Sequence, residues 1–346
     1  MRALVIHAPK DLRIDTLEDL EPGPGQVRIN IAVGGVCGSD LHYYHHGGFG
    51  AVRIKEPMIP GHEVSGHIAQ LGAGVSGLEV GAAVAICPSR PCAACRYCLE
   101  GKANHCTDMR FYGSAMRFPH IQGAFAQAVV ADASQCVVAA SDSLTPGELA
   151  MAEPLSVALH AVRRAGDMLG ARVLVTGCGP IGVLVAAAAR RAGATEIVVT
   201  DVANRALEHA LGAGADRVIN VTQNADAMDA YAADKGYFDV VFEASGVASA
   251  LSTALQAIRA RGVLVQVGLG AGDVSVPMNL IVAKEIDLRG TFRFHEEFHW
   301  AVELMSKQLI DVKPLITATY AMEDAVAAFE IAGDRERSLK THITFN

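Results

Sequence analysis

Four cysteines lie close together in one short stretch: Cys92, Cys95, Cys98 and Cys106, spaced C-x2-C-x2-C-x7-C. Such tight turns bring thiolates to the separation that a tetrahedral Zn²⁺ requires, and four thiolates leave no coordination position open for a substrate. A thioredoxin-like pair usually follows a strand and opens a helix, which this stretch does not do. An iron–sulfur cluster is the remaining alternative. We predict a structural zinc that cross-links a loop, so catalysis must lie elsewhere.

A second motif, G-C-G-P-I-G, follows the apolar run RVLVT and opens a segment rich in small residues. In this setting Gly177 permits a tight turn, Gly179 lets the backbone approach a pyrophosphate, and Gly182 lets the helix pack close to the sheet. Pro180 and Ile181 complete the loop, and the N-terminus of the helix attracts phosphate. The motif therefore predicts a dinucleotide site.

The choice between NAD and NADP depends on the next strand, EIVVTD, which ends in Asp201. An acid at this position can hold both ribose hydroxyls, which favours NAD and repels a 2′-phosphate. Arg205 follows one helical turn later and either softens that preference towards NADP or is a solvated surface residue. We predict NAD as the cofactor, with NADP as the alternative.

Two further segments contain residues of the metal-ligand type. Cys37 lies in the glycine-flanked stretch GGVCGSDLHYY, and His62 and Glu63 follow a Pro-Gly turn in PGHEVSG. A single cysteine is usually a small hydrophobic residue, and a single buried histidine is more often part of a core than a ligand. Their assignment to a metal therefore needs more than residue type.

The elements that must position these residues differ along the chain. Residues 1–140 contain short β-type runs separated by Gly and Pro, which is typical of an irregular antiparallel barrel. Helical character begins at about residue 141. Apolar strands and helices then alternate from RVLVT onwards, which predicts an α/β fold with a doubly wound parallel sheet. We expect one discontinuous domain, 1–148 with 295–346, and a second domain at 149–294.

Composition limits the function classes. The 346 residues suffice for about two domains. The net charge of −8 and the pI of about 5.9 make nucleic acid or an anionic membrane a poor partner. No apolar run reaches the roughly 18 residues of a membrane span. The N-terminal stretch lacks the pattern of a signal peptide. We therefore expect a cytoplasmic protein, whose thiols stay reduced.

Five segments occur in the order found in zinc-dependent medium-chain dehydrogenases, and the chain resembles the polyol (sorbitol) dehydrogenase branch of that family. The segments are GGVCGSDLHYY, PGHEVSG, the four-cysteine loop, AEPLSVALHA and GCGPIG. The resemblance implies a GroES-like β-barrel catalytic domain, a Rossmann domain and an active site in the cleft between them. It also implies a homo-oligomer, either a dimer or a tetramer.

The resemblance makes Cys37 and His62 ligands of a second, catalytic zinc, so that two zinc ions are expected per subunit. The third ligand stays open. Alcohol dehydrogenases of this family place a cysteine where this chain has Glu153, and polyol dehydrogenases place a glutamate there. Glu63, next to His62, can also bind directly. We favour Glu63 as the ligand and Glu153 as the partner of water or substrate, with exchange between the two left open.

The resemblance also implies how the chemistry proceeds. Zinc with an open position acts as a Lewis acid towards a substrate hydroxyl, and hydride passes to the nicotinamide. It implies that Ser39 and His42 form a proton relay. The alternative interpretation is that these two side chains only make local hydrogen bonds within a loop. Tyr43 contacts the substrate, and Asp40 orients His62. Further cofactor contacts are expected from Val267, Gly268, Leu269 and Phe292.

The substrate class depends on cations, because a sugar acid needs one near its carboxylate and a polyol does not. Arg110 and Arg117 lie in MRFYGSAMRFPH, and Arg293 lies in TFRF. The segments EPMIPGHEVSG, CTDMRFYGSAMRFPH and RARGVLVQVG resemble sugar-acid dehydrogenases of the polyol branch. That resemblance implies oxidation of L-idonate at C5 to a ketogluconate, or the reverse. The alternatives are sorbitol, xylitol or L-threonine as substrate, and a non-catalytic zinc-binding protein.

Overall fold

The structure is a computed structural model that describes residues 1–139, 144–270 and 272–345. Residues 141–143, where helical character was expected to begin, lie outside the described residues. The strands form two main sheets. One sheet combines the two ends of the chain, and the other is built from the middle.

The N-terminal part consists of short strands with two helices. Its strands are β1 (Arg2–Ala8), β2 (Asp11–Thr16), β3 (Gln26–Gly35), β4 (Gly48–Phe49), β5 (Val52–Arg53), β6 (Glu63–Leu71), β7 (Ala83–Ile86), β8 (Ser89–Arg90), β9 (Arg110–Phe111), β10 (Ala128–Asp132) and β11 (Cys136–Val138). Its helices are α1 (Gly38–His46) and α2 (Arg96–Leu99). The pairs β1–β2, β4–β5 and β8–β9 are separate antiparallel hairpins.

The middle of the chain alternates helix and strand. Its elements are α3 (Pro146–Ala150), α4 (Ala152–Ala165), β12 (Arg172–Thr176), α5 (Pro180–Arg191), β13 (Glu196–Asp201), α6 (Asn204–Gly212), β14 (Arg217–Asn220), α7 (Asp229–Ala232), β15 (Phe238–Glu243), α8 (Ala248–Ala257), β16 (Ile258–Gln266), α9 (Met278–Lys284) and β17 (Asp287–Gly290). The strands are parallel in the order β14-β13-β12-β15-β16-β17. The order reverses beside β12, the switch point at which such sheets bind ligands.

The C-terminal elements are α10 (Glu297–Ser306), β18 (Ile316–Ala321), α11 (Ala325–Ala332) and β19 (Lys340–Thr344). Strand β19 pairs with β18 and, antiparallel, with β3, so the end of the chain joins the N-terminal sheet. That sheet runs β11-β7-β6-β3-β19-β18, with β10 also paired to β3. Short 3-10 helices are Ala103–His105, Ala133–Gln135, Ala225–Met228, Ala233–Lys235, Lys313–Leu315 and Met322–Asp324.

The predicted α/β class with a doubly wound parallel sheet is confirmed. Val173 and Val175 of β12 are wholly buried, because helices cover both faces of a parallel sheet, and this accounts for the continuous apolar runs in the sequence. Phe298 of α10 belongs to the same apolar core as β12. The division into domains at residues 148 and 294 stays a prediction.

The start of α3 shows how local sequence places an active-site helix. Thr145 caps α3: its hydroxyl accepts a hydrogen bond from the Glu148 backbone N–H at 3.2 Å, and Pro146 occupies the first turn. Helix α4 follows after one residue, Met151, so this cap also sets the position of Glu153. Among the described residues, no helix combines the length and the apolar character needed to cross a bilayer.

Candidate active site

Cys37 lies at the N-cap of α1, where a buried carboxylate holds the backbone. Asp40 accepts hydrogen bonds from the backbone N–H of Cys37 at 3.0 Å and of Gly61 at 3.1 Å. Because these amides belong to the segments before α1 and before β6, one carboxylate fixes the separation of both. Asp40 Oδ1 also lies 3.8 Å from His62 Nδ1, a buried nitrogen with no hydrogen-bond partner among the described residues.

His62 and Glu63 follow a turn that requires glycine. Gly61 has a φ of 91°, in the left-handed region, and a Cβ there would lie 2.0 Å from the ring of Phe125. The turn directs the start of β6 towards α1. As a result, Cys37, His62 and Glu63 each place one donor atom within 4.8 Å of the donor atoms of the other two.

A buried lysine pairs with Glu63. Lys340 Nζ lies 2.7 and 2.9 Å from the two carboxylate oxygens and also donates to the carbonyl of Val36 at 3.2 Å. Gly35 leaves room for this pair, since a Cβ there would lie 2.4 Å from Glu63 Oε2. Both side chains are almost wholly buried, so each compensates the charge of the other. One signal for Lys340 was available in the sequence, namely a cation immediately before the β-type run THITF.

The pKa values of Cys37 and Glu153 indicate that the donor cluster lacks positive charge. Burial, together with the Glu63 carboxylate, raises the pKa of the Cys37 thiol to about 12. Burial, followed by Glu63 and Cys37, raises the pKa of Glu153 to about 8, against the effect of His62. A divalent cation would supply the missing positive charge and favour the thiolate. The donor set of sulfur, imidazole nitrogen and carboxylate oxygen fits Zn²⁺.

Glu153 approaches the same cluster from the first turn of α4. It is buried and within electrostatic range of Cys37, His62 and Glu63. Its carboxylate is not part of the group of donors that lie within 4.8 Å of one another. The two glutamates therefore differ in position: Glu63 lies among the donors, and Glu153 lies beside them.

The predicted relay residues and the predicted substrate tyrosine share α1. Ser39 and His42 are three residues apart, which places them on one face of the helix. The side chain of His42 reaches solvent, although the protein covers part of its ring. This partial desolvation is the main cause that lowers the pKa of His42, and the neighbouring His46 and His45 act in the same direction. Tyr43 is buried, and its hydroxyl accepts a hydrogen bond from the Ala115 backbone N–H at 3.0 Å.

A pocket of about 440 Å³ has walls formed in part by the end of the four-cysteine stretch, including Cys106, and in part by Phe111, Ser114, Met116, Arg117, Phe292 and Arg293. The Phe111 ring connects it to the donor cluster, because its centre lies 5.4 Å from that of His62 and 4.1 Å from the Arg293 guanidinium. Phe111 thus lines the pocket and is also a direct neighbour of His62, one of the candidate metal ligands.

Arg293 has an uncommon backbone conformation. Its φ is 53°, in the left-handed region that few non-glycine residues adopt. Burial lowers the pKa of Arg293, while Glu153 and Tyr43 act in the opposite direction. Within the described residues no carboxylate lies within 4.0 Å of its guanidinium, whose Nη2 lies 3.5 Å from the sulfur of Met116.

The structure separates the two arginines of MRFYGSAMRFPH. Arg117 lines the same pocket as Arg293 and forms an ion pair with Asp108. Arg110, in β9, lines a different groove of about 980 Å³ together with Phe294 and Trp300. Arg110 is therefore not brought together with the other predicted substrate contacts.

The three glycines of the dinucleotide motif each have the predicted surroundings. Gly177 has a φ of 91°, and a Cβ there would lie 2.6 Å from the backbone nitrogen of Ser245. A Cβ at Gly182 would lie 1.9 Å from the carbonyl oxygen of Gly177. No atom of the described chain lies within 4 Å of the corresponding position at Gly179, which leaves open space for a cofactor. Pro180 and Ile181 form the first turn of α5.

Asp201 ends β13 beside this loop. Its carboxylate accepts hydrogen bonds from the backbone N–H of Cys178 at 2.5 Å, Val202 at 2.7 Å and Ala203 at 3.0 Å. With Gly177 and Val247, it lines a pocket of about 370 Å³. Arg205 is exposed in the first turn of α6. The structure thus provides a cleft suited to a dinucleotide at the switch point of the sheet.

A buried acid that the sequence did not single out organises the loops around this cleft. Glu243, at the end of β15, accepts hydrogen bonds from Thr176, Gln266, and the backbone N–H groups of Ser245 and Gly246. Its carbonyl accepts bonds from the backbone N–H of both Val267 and Gly268, each at 2.8 Å. Two other predicted cofactor contacts, Leu269 and Phe292, are exposed side chains. An acid closing an apolar strand was the available signal for Glu243.

The four-cysteine loop has the geometry of a closed metal site. The donor atoms of Cys92, Cys95, Cys98 and Cys106 all lie within 4.8 Å of one another. The sulfurs of Cys95 and Cys98 are 3.6 Å apart, and those of Cys92 and Cys98 are 4.0 Å apart. Backbone N–H groups of Cys98 and Thr107 lower the pKa of Cys95, whereas burial and the neighbouring thiols raise the pKa of Cys98, so four thiolates together would require the charge of a bound cation.

Two family profiles match the chain. The profile described as "Alcohol dehydrogenase GroES-like domain" matches residues 23–142, and that described as "Zinc-binding dehydrogenase" matches residues 180–307. The first description confirms the predicted GroES-like domain.

Characterised relatives match over nearly the full length. L-idonate 5-dehydrogenase (NAD(P)(+)) of Escherichia coli is 46% identical over 319 residues, which cover 92% of this chain and 91% of that protein. Sorbitol dehydrogenase of Bacillus subtilis is 36% identical over 337 residues, 96% and 93% of the two chains. The crystal structure of the E. coli L-idonate 5-dehydrogenase superposes with a TM-score of 0.93 at 43% identity, covering 99% of this chain and 98% of that one.

Proposed function

Because the chain belongs to the zinc-dependent medium-chain dehydrogenase family, we propose that it oxidises a secondary alcohol of a sugar acid with NAD(P), converting L-idonate at C5 to a ketogluconate, or catalyses the reverse. One observation carries the substrate class. Arg293, without a carboxylate partner among the described residues, lies 4.1 Å from the centre of the Phe111 ring, which is itself 5.4 Å from the centre of the His62 ring. A guanidinium in that position suits a substrate that carries an acid group.

Cys37, His62 and Glu63 are the residues that would hold the catalytic zinc. When bound there, zinc supplies a Lewis acid that stabilises negative charge on the substrate oxygen. Lys340 donates hydrogen bonds to both oxygens of Glu63, which fixes the direction of this carboxylate. Asp40 holds the backbone on both sides of the site, so that the donors are arranged in advance.

Proton transfer is assigned to Glu153, Ser39 and His42. Glu153 is buried beside the donor set; burial raises its pKa, and a bound Zn²⁺ would act in the opposite direction, so this carboxyl is suited to exchange a proton with a substrate hydroxyl or water. Ser39 and His42 would carry the substrate proton along one face of α1 to solvent. The lowered pKa of His42 keeps its imidazole neutral, as a proton acceptor must be.

Substrate binding is assigned to Tyr43, Arg117 and Arg293. The Tyr43 hydroxyl accepts the Ala115 amide and can donate its own proton to a substrate oxygen. Arg293 and Arg117 occupy the same pocket, and their two guanidinium groups provide the positive charge that a sugar-acid carboxylate requires. A neutral polyol is the second candidate, because the ion pair with Asp108 already offsets the charge of Arg117.

The remaining parts of the proposal concern cofactors and assembly. We assign a second, structural zinc to the four-cysteine loop. NAD is the expected cofactor, with NADP tolerated: three backbone N–H groups already satisfy the charge of Asp201, and Arg205 is exposed nearby. The cofactor contacts at Val267, Gly268, Leu269 and Phe292 and the homo-oligomer stay predictions.

The test compares kcat/KM on L-idonate, 5-ketogluconate, sorbitol, xylitol and L-threonine, each with NAD and NADP, for the wild type and three variants. Arg293→Gln tests the observation that carries the substrate class: it should lower kcat/KM for L-idonate by about 10-fold relative to sorbitol, and an equal loss on both substrates would contradict the assignment. We expect L-idonate and its ketone to be the best substrates. Arg117→Gln should lower kcat/KM for L-idonate by about 10-fold relative to sorbitol, because a charged hydrogen bond is lost. Arg110→Gln is the matched control, since the same motif places Arg110 on another groove.

Dominant sorbitol activity in the wild type would contradict the sugar-acid assignment. An equal loss on L-idonate and sorbitol in Arg117→Gln would show that Arg117 does not bind a carboxylate. A selective loss on L-idonate in Arg110→Gln would restore the role predicted for Arg110 from the sequence.

A further inference from the structure

One wall of the dinucleotide pocket comes from the other end of the chain. Apart from Arg335, the residues that line this pocket of about 370 Å³ all lie between Thr176 and Gln256. Arg335 lies in the connection between α11 and β19, which belong to the part of the chain that joins the N-terminal sheet. The connection therefore reaches across from one sheet to the cofactor cleft of the other.

Arg335 is the only cationic side chain among the described residues that line this pocket, whereas Asp201 and Asp229 are acidic. Its side chain is exposed, and within the described ranges no carboxylate lies within 4.0 Å of its guanidinium. An arginine that lines a cleft without an internal partner is available to an anion from outside. A dinucleotide brings at least two phosphate charges to this cleft.

Gly177 is the residue of the glycine loop that lines this pocket, so the phosphate position of the loop borders the pocket at Gly177. The glycine loop and the N-terminus of α5 offer backbone N–H groups and only a partial positive charge. Asp201 does not compete for Arg335, because its oxygens are taken by the N–H groups of Cys178, Val202 and Ala203. Among the described residues that line this pocket, Arg335 is the one that offers a full positive charge; Arg205 is exposed nearby but does not line it.

We propose that Arg335 binds a phosphate of the dinucleotide cofactor and thereby ties the α11–β19 connection to the Rossmann sheet. The inference rests on the proposed function in one respect: it takes a dinucleotide as the ligand of this cleft. The phosphate has two possible sources, the pyrophosphate that NAD and NADP share and the 2′-phosphate of NADP alone. Binding of either would close the connection over the cofactor.

The test is cofactor binding without substrate, measured by calorimetry on the zinc-loaded full chain. If the pyrophosphate is the ligand, Arg335→Gln should raise the Kd for NAD and NADP equally, by about 10-fold. If the 2′-phosphate is the ligand, only the Kd for NADP should rise. Arg335→Lys keeps the charge and should recover part of the affinity. Arg337→Gln is the matched control, because Arg337 is exposed, does not line the pocket and pairs with Asp334.

Hydrogen exchange provides a second readout. Saturating NAD, or NADP for the 2′-phosphate case, should slow exchange at residues 333–339 in the wild type and in Arg337→Gln but not in Arg335→Gln. Unchanged Kd values in Arg335→Gln, or an equal rise in Arg337→Gln, would overturn the inference. A wild type that binds neither NAD nor NADP would instead overturn the proposed function, so the two failures are distinguishable.

Discussion

The two metal-type donor sets of this chain are built in opposite ways. The cysteine loop collects its four sulfurs from the stretch between Cys92 and Cys106, with few apolar neighbours. The cleft set brings Cys37, His62 and Glu63 together through separate elements, with Lys340 added from the last strand. The first set needs only a loop that can turn tightly. The second needs strands β3 and β6 and the C-terminal strand β19 to be assembled in one sheet. We therefore expect damage to the loop to reduce stability and damage to the cleft to abolish chemistry.

The largest effect is expected at Cys37. Cys37→Ser should lower kcat by at least about 1,000-fold, because the donor that would make the site a thiolate–imidazole–carboxylate set is lost. The Kd for NAD should stay within about twofold, because the dinucleotide pocket is formed by other residues. Steady-state kinetics and calorimetry measure the two quantities.

Cys136→Ser is the control for the loss of a thiol. Cys136 is buried in β11, and its sulfur contacts only the carbonyl of Asp132 among hydrogen-bond acceptors in the described chain. This variant should turn over at close to the wild-type rate. If Cys37→Ser retains turnover, the cleft donor set is not required for the chemistry, and the expected difference between the two donor sets is wrong.

The Lys340–Glu63 pair tests whether the cleft depends on the last strand. Lys340→Met leaves a buried carboxylate without its partner and should lower the free energy of unfolding by about 3–5 kcal/mol, measured by urea denaturation. The double variant Lys340→Met/Glu63→Gln removes both charges and should recover more than half of that loss. Equal stability of the wild type and Lys340→Met would show that the pair does not hold the cleft together.

A substitution at Cys95 tests whether the four-cysteine loop contributes to stability and not to catalysis. Cys95→Ser should lower the thermal midpoint by at least about 5 °C, because one of four zinc donors is lost from a loop with few apolar contacts. At 25 °C, kcat should stay within about threefold of the wild type. If the variant is inactive but melts at the wild-type temperature, the loop metal takes part in the chemistry after all.

Glu297 belongs to neither metal-type donor set. It shows how a buried, hydrogen-bonded carboxylate contributes to the free energy of unfolding. Burial alone would raise its pKa, but hydrogen bonds with His160 at 3.0 Å and from the His295 backbone N–H at 2.9 Å lower it to about 2. Because the folded pKa lies below the ordinary value of 4.5, the stabilisation is complete above about pH 5 and is lost as pH falls towards 2.

Urea denaturation at pH 6 and pH 4 measures this contribution. The difference in unfolding free energy between the wild type and Glu297→Gln should shrink by about 1 kcal/mol over that range. Glu296→Gln, at an exposed neighbour, is the control and should show no such trend. A difference that does not change with pH would mean that the carboxylate is not stabilised as described.

Features made by neighbouring residues could be predicted from the sequence. The spacing of the four cysteines predicts the cluster of sulfurs, and the run from RVLVT to Asp201 predicts the strand, glycine turn and helix that surround Gly177. In each case the residues that act together lie within about 30 positions of one another, so local geometry is sufficient.

Features made by distant residues could not be predicted in the same way. Lys340 and Glu63 are 277 positions apart, and the pairing of β3 with both β19 and β6 brings them together. Arg110 and Arg117 share one motif, but β9 is only two residues long, so the sequence does not indicate which groove each side chain enters. Cys37, His62 and Glu63 were assigned through family resemblance, because their residue types alone do not specify a metal site.

The most direct test of the two-site account is the zinc content per subunit, measured by elemental analysis together with turnover. We expect two zinc ions in the active wild type, one in Cys37→Ser and one in Cys95→Ser, with activity lost only in the first variant. An active wild type that contains one zinc, absent from Cys95→Ser and retained in an active Cys37→Ser, would contradict the account.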